Sequence, residues 1–149
     1  MVKATEEDLL LTKLLDCKNL DDMGPILNEA SRNNNLRDAL WPRLLQAAVE
    51  ATNESEAQRL KSALTVMFIP FSNRIAYASY GKMLRNASDG HVNIDEHDFI
   101  VAAEDAIGEA INNACNKLEE GVSQNLPGLI FTIAQRRCVD VQRKIIGRR

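Results

Sequence analysis

The chain has 149 residues, of which 45% are hydrophobic and only 5% aromatic, and its formal net charge is −3. This composition allows one domain with an aliphatic core, or a domain with a helical extension, and it excludes a disordered tail. No apolar stretch approaches the ~20 residues that a membrane span needs, and no signal peptide is visible, because charged residues from Lys3 to Asp8 interrupt any early apolar run. We therefore expect a soluble cytoplasmic protein without membrane contact.

The first half of the chain predicts short helices, because apolar residues recur at helical spacing and no sustained strand alternation is present. Helices are expected at 5–17, 22–32 and 36–50, with a loop of three asparagines at 33–35. Within the third helix, Pro42 is either a weak point or the true start.

The middle of the chain predicts two helices separated by a proline. A fourth helix should run from Glu54 to about Ile69 after a cap at residue 52 or 53, and Pro70 should break or kink the chain. A fifth helix should continue to about Leu84, followed by a polar loop at 86–97.

The last two helices have the clearest patterns. On the first, one face is apolar: Ile100, Ala103, Ile107, Ala110, Ile111, Ala114 and Leu118. The opposite face is polar: Asp105, Glu109, Asn112, Asn116 and Glu120. Gly121 should end this helix, and Pro127 lies near the start of the final one.

The final helix has an apolar stripe of Ile130, Ala134, Cys138, Val141 and Ile145. Arg136, Asp140 and Arg143 lie opposite, with Arg137 and Lys144 on the flanks.

The charge changes sign between these two helices. Residues 89–120 contain nine acids and one base, whereas residues 121–149 contain six bases and one acid. The acidic face is either a solvated surface or a docking face for a basic partner, kept low by Gly108, Asn112 and Asn116. The basic helix either places cations at a helix C-terminus, where the dipole favours them, or binds phosphates.

Sequence signals for catalysis are poor. His91 and His97 lie in the polar loop, and their spacing to nearby acids matches no familiar metal site. The three cysteines are odd in number and far apart, which argues against a disulfide framework or a zinc ribbon, and Cys138 falls on the buried stripe. We therefore expect no enzyme activity, no catalytic residues, no metal and no cofactor.

Two segments near the C-terminus resemble the second conserved region of bacterial RNA polymerase sigma factors of the extracytoplasmic-function (ECF) group. The segment PGLIFTIAQRRCVDVQRK fits the end of that region through Ile133, Ala134, Asp140, Arg143 and Lys144. Upstream, AAEDAIGEAINNA fits its acidic helix through Ala103, Glu104, Asp105 and Glu109. Leu129 stands where the family usually has Trp, which leaves Phe131 as the aromatic residue of the segment.

The resemblance implies an all-α fold, with a sigma region-2-like helical bundle at residues 65–149 preceded by a helical extension at 1–64. It implies a transcription initiation protein, or its isolated region 2 domain, with core RNA polymerase, promoter DNA and an anti-sigma or other regulatory protein as partners. The residues implied to bind polymerase are Asp105, Glu109, Asn112 and Asn116. Those implied to bind the minus-ten DNA element are Arg136, Arg137, Arg143 and Lys144.

Several alternatives stay open on the sequence, one of them an unrelated helical domain that matches the sigma pattern by chance. Complete ECF factors continue into a helix-turn-helix domain, so the chain ending at Arg149 is expected to be either an excised domain or a standalone sigma-like protein. The protein could also be a sigma-like interaction module or polymerase regulator that does not recognise promoters.

Overall fold

The structure, a computed structural model, describes residues 6–86 and 96–146, and these residues form helices and no strand. The helices are α1 (Glu6–Asp16), α2 (Leu20–Arg32), α3 (Asn34–Glu50), α4 (Glu54–Asn86), α5 (Glu96–Glu119) and α6 (Leu126–Ile146). The predicted all-α class is therefore confirmed. Most of the polar loop expected at 86–97 lies outside the described residues, and His97 belongs to α5.

Asparagine side chains cap the N-termini of four helices, and the one before α6 is Asn125, whose Oδ1 accepts the N–H of Gly128 at 3.4 Å. The Oδ1 atom of Asn19 accepts the backbone N–H of Asp22 at 2.9 Å, and that of Asn53 accepts the N–H of Glu56 at 2.7 Å. Asn33 accepts from two backbone N–H groups at the start of α3, at 3.1 and 3.2 Å. The loop predicted at 33–35 is therefore wrong in extent, because Asn33 satisfies the free N–H groups and α3 begins at the next residue.

Pro70 does not divide the fourth and fifth predicted helices, which form one 33-residue helix, α4. A proline inside a helix removes one backbone hydrogen bond and costs about 3 kcal/mol. Burial continues on both sides of it: Met67 and Phe68 precede it, and Ile75 and Ala76 follow it. Each large side chain contributes roughly 1.5–3 kcal/mol when fully buried, so packing can outweigh the local cost.

The end of α5 is a Schellman motif, and its glycine is the residue that the sequence predicted to end the helix. Gly121 has a φ of 84°, the left-handed conformation that favours glycine. Its N–H donates to the carbonyl of Leu118 at 2.9 Å, and the N–H of Val122 donates to the carbonyl of Lys117 at 2.8 Å. The first bond satisfies the carbonyl of Leu118, and the second adds a partner to the carbonyl of Lys117, which also accepts the N–H of Glu120 at 3.1 Å.

Packing divides the chain into two compact units. The first comprises residues up to 68 together with 111–124, and the second comprises 69–110 and 125 onward. The division falls inside α4 and α5, so it does not test the domain boundary predicted between residues 64 and 65, which stays a prediction.

Each unit has its own aliphatic core. In the first unit the largest fully buried side chains are Leu14, Met23, Leu27, Leu40, Leu44, Leu60, Leu64, Met67, Phe68 and Ile111. The guanidinium of the buried Arg37 lies 5.1 Å from the ring centroid of Phe68 and also pairs with Asp38. In the second unit, Phe99 and Ile107 are fully buried, and the ring of Phe99 meets that of Tyr80 edge-on.

Candidate functional site

The apolar stripes of α5 and α6 fix which side chains of the second unit reach solvent. On α5, Phe99, Ala103 and Ile107 are fully buried, and on α6, Ala134 and Cys138 are fully buried. Because a helix repeats every 3.6 residues, burying one stripe turns the opposite one outward. The stripes predicted from the sequence thus orient the charged residues of both helices.

A groove of about 660 Å³ in the second unit collects many of these charged side chains. Its acidic side chains on α5 are Asp98, Asp105 and Glu109. Its basic side chains on α6 are Arg136, Arg137 and Lys144, with Asp140 among them. Its apolar lining is Val101, Ala102, Ile133 and Val141. The groove therefore carries both signs of charge, one mainly from each helix.

An ion pair joins the two helices at this groove. Oε2 of Glu109 accepts hydrogen bonds from Nε of Arg137 at 3.1 Å and from Nη2 at 2.5 Å. The two side chains are 45% and 38% exposed, so solvent screens the pair and its net contribution is about 0.2–1 kcal/mol. A residue predicted to bind polymerase is thus in direct contact with one predicted to bind DNA.

The remaining predicted site residues lie in different places. Arg143 is exposed on α6 and is not among the described residues that line the groove. Asn112 and Asn116 belong to the first unit. Nζ of Lys61 donates to Oδ1 of Asn112 at 3.4 Å, and Asn116 lines a smaller pocket of about 290 Å³. All eight binding assignments stay predictions.

Several groove residues were not predicted from the sequence as site residues, namely Asp98, Val101, Ala102, Ile133 and Val141. Of these, the sequence assigned Ile133 only to the sigma-like pattern and Val141 only to the apolar stripe. A signal for Asp98 and Ala102 was present, because these residues recur with Asp105 and Glu109 at steps of three and four and so share one side of α5. No periodicity within one helix shows that this side meets a particular side of another helix.

The two buried thiols are poor nucleophiles. Burial raises the pKa of Cys138, although a hydrogen bond with Ser79 acts in the opposite direction, and its Sγ lies 3.8 Å from the carbonyl oxygen of Phe99. Burial also raises the pKa of Cys115, partly offset by the positive charge of Lys61. The predicted burial of Cys138 is confirmed.

Within residues 6–86 and 96–146, no three His, Cys, Asp or Glu side chains are grouped closely enough to hold a metal ion. In the same part of the chain, every helix is too short or too polar to cross a membrane. His91 lies outside the described residues, so the expectation of a solvated loop around it stays a prediction.

Comparisons of this chain with family models, with curated proteins and with solved structures give no match. The resemblance to sigma factors therefore rests on the residues quoted for it in the sequence.

Proposed function

We propose that the protein is a sigma-like transcription initiation protein that docks on core RNA polymerase through α5 and meets promoter DNA through α6. The observation that carries this proposal is the distribution of charge in the second unit. Acidic side chains project from α5 and basic side chains from α6, and each set matches the partner that the resemblance assigns to its helix. This role would place the protein in the cytoplasm with the polymerase.

On α5, the docking surface would consist chiefly of Asp105 and Glu109. Both are exposed, they are four residues apart, and Gly108 beside them carries no side chain to hold a partner away. Exposed charges of one sign attract a partner of opposite charge and penalise a like-charged one. We therefore expect a basic surface of the polymerase to be the counterpart.

On α6, the DNA-binding surface would include Arg136, Arg143 and Lys144, which are all exposed. Phe131 on the same helix is 45% exposed and could stack on an unpaired base. Each cation that neutralises a phosphate of a single strand contributes about −0.7 to the slope of log affinity against log salt concentration. Three contacts would give a slope of about −2.

Charge reversal tests polymerase docking. The full chain is titrated onto core RNA polymerase, unmodified and as Asp105→Arg or Glu109→Arg, with Glu29→Arg, an exposed acid of α2, as the matched control. Placing a like charge against a basic surface should weaken binding at least about tenfold, and the control should leave it within about twofold. Docking at this face is refuted if the unmodified chain does not bind, or if neither reversal changes the affinity.

A labelled minus-ten nontemplate oligonucleotide tests DNA binding, with fluorescence anisotropy measured over a range of salt concentrations. Arg136→Ala and Arg143→Ala should each lower the affinity and reduce the salt slope by about 0.7. The matched control is Arg32→Ala, which removes an exposed arginine from α2 in the first unit. If the two α6 variants behave like this control, α6 is not the DNA-binding surface.

One contact favours a second candidate function, a polymerase regulator or interaction module without promoter recognition. Arg137 already pairs with Glu109, and the groove beside it contains acids as well as bases. A groove of mixed charge suits a protein partner better than a phosphate backbone, which attracts bases only. Binding of polymerase without binding of the oligonucleotide would select this candidate.

A further inference from the structure

The ion pair between Glu109 and Arg137 connects a residue assigned to polymerase with one assigned to DNA. We propose that this ion pair couples the two binding events, so that engaging either partner releases the side chain that the other partner needs. The inference rests on the proposed function and adds a regulatory contact to it.

In the free protein, the carboxylate of Glu109 binds the guanidinium of Arg137 in the place that a phosphate would take. Arg137 directs Nε–H and one Nη2–H at a single carboxylate oxygen, at 3.1 and 2.5 Å. A guanidinium presents the same fork of donors to carboxylates and to phosphates, so the two anions compete for it. A phosphate must therefore displace Glu109 before Arg137 can bind it fully.

The competition also works in the other direction. When a cation of the polymerase pairs with Glu109, Arg137 loses its intramolecular partner and is free for a phosphate. When a phosphate takes Arg137, the carboxylate of Glu109 is free for the polymerase. Coupling between two binding equilibria is reciprocal, so each partner should raise the affinity for the other by the same factor.

Exposure sets the size of the effect. Both side chains are between one third and one half exposed, so the pair is worth what exposed ion pairs usually contribute. That contribution corresponds to a factor of about 1.4 to 5 in affinity. The contact therefore works as a modest bias that an added phosphate or cation can overcome.

The direct test compares two neutralised acids of the same groove. Glu109→Gln removes the carboxylate that holds Arg137, whereas Asp98→Asn removes one negative charge from α5 at a residue with no ion pair in the described part of the chain. Both variants reduce general repulsion of DNA. The gain in oligonucleotide affinity should be about 1.4- to 5-fold larger for Glu109→Gln.

A double-mutant cycle with Arg137 gives the second test. When both acids are neutralised separately in an Arg137→Gln background, Glu109→Gln should raise the oligonucleotide affinity no more than Asp98→Asn does, because the arginine that Glu109→Gln would release is absent. On core polymerase, Arg137→Gln should bind about 1.4- to 5-fold more tightly than Lys144→Gln, which removes a groove cation that forms no ion pair within residues 6–86 and 96–146.

The outcomes separate failure of the coupling from failure of the proposed function. The coupling would be overturned, with DNA binding intact, if Glu109→Gln and Asp98→Asn raised the oligonucleotide affinity equally. It would also be overturned if the extra gain from Glu109→Gln persisted in the Arg137→Gln background. If no variant binds the oligonucleotide, Glu109→Gln included, the DNA-binding function fails and the coupling falls with it. If DNA binding responds as expected but Arg137→Gln does not raise polymerase affinity above Lys144→Gln, the coupling is also overturned.

Discussion

Replacing glycine by alanine should have opposite effects on stability at two positions, Gly121 just after the end of α5 and Gly108 inside it. At Gly121 the backbone φ is 84°, where an L-residue brings its Cβ close to the following carbonyl oxygen. Among the described residues, no atom beyond the two chain neighbours lies within 4 Å of the position that a Cβ would occupy, so the cost comes from the backbone conformation. Gly121→Ala should therefore lower the free energy of unfolding by about 1–2 kcal/mol.

Gly108 provides the matched comparison. It lies in the interior of α5 and is exposed, and apart from the adjacent residues and the backbone of α5 itself, no atom in the described part of the chain lies within 4 Å of the added Cβ. Alanine there restricts the unfolded chain and fits the helix, so Gly108→Ala should raise the free energy of unfolding by about 0.5–1 kcal/mol. The two variants should differ by about 1.5–3 kcal/mol.

Urea unfolding followed by helical circular dichroism measures both variants against the unmodified chain. The urea midpoint should fall for Gly121→Ala and rise for Gly108→Ala, with little change in the dependence of the free energy on urea concentration. Equal shifts, or a neutral Gly121→Ala, would show that the Schellman motif at the end of α5 does not form in solution.

Two further predictions concern a helix cap and the thiols. Asn53→Ala removes the side chain that accepts the N–H of Glu56 and should cost about 1 kcal/mol in urea unfolding, whereas Asn113→Ala, on the exposed side of α5, should cost nothing. An equal effect would count against the cap. In thiol labelling of the native protein, half-buried Cys17 should react first, and Cys115 and Cys138 should react only in denaturant. Because burial raises their folded-state pKa above the ordinary 9.0, their contribution to stability should be complete below pH 9 and lost as pH rises through the raised folded values. Uniform labelling of the native protein would contradict this burial.

The sequence alone determined the all-helical class and which face of α5 and of α6 is buried. The apolar residues of α5 from Ala103 to Ala114 recur at steps of three and four, and they are buried as predicted. Gly121 ended the helix as predicted. These features depend on residues a few positions apart, so the local pattern contains the information needed to place them.

Tertiary structure decided the features that depend on distant residues. Pro70 locally favours the end of a helix, but α4 continues past it because side chains before and after it are buried. For the candidate site, the sequence predicted the acids of α5 and the bases of α6 as two separate surfaces. Only packing brings Glu109 within hydrogen-bond distance of Arg137, 28 residues away, because one helix's periodicity does not specify which face of another helix it meets.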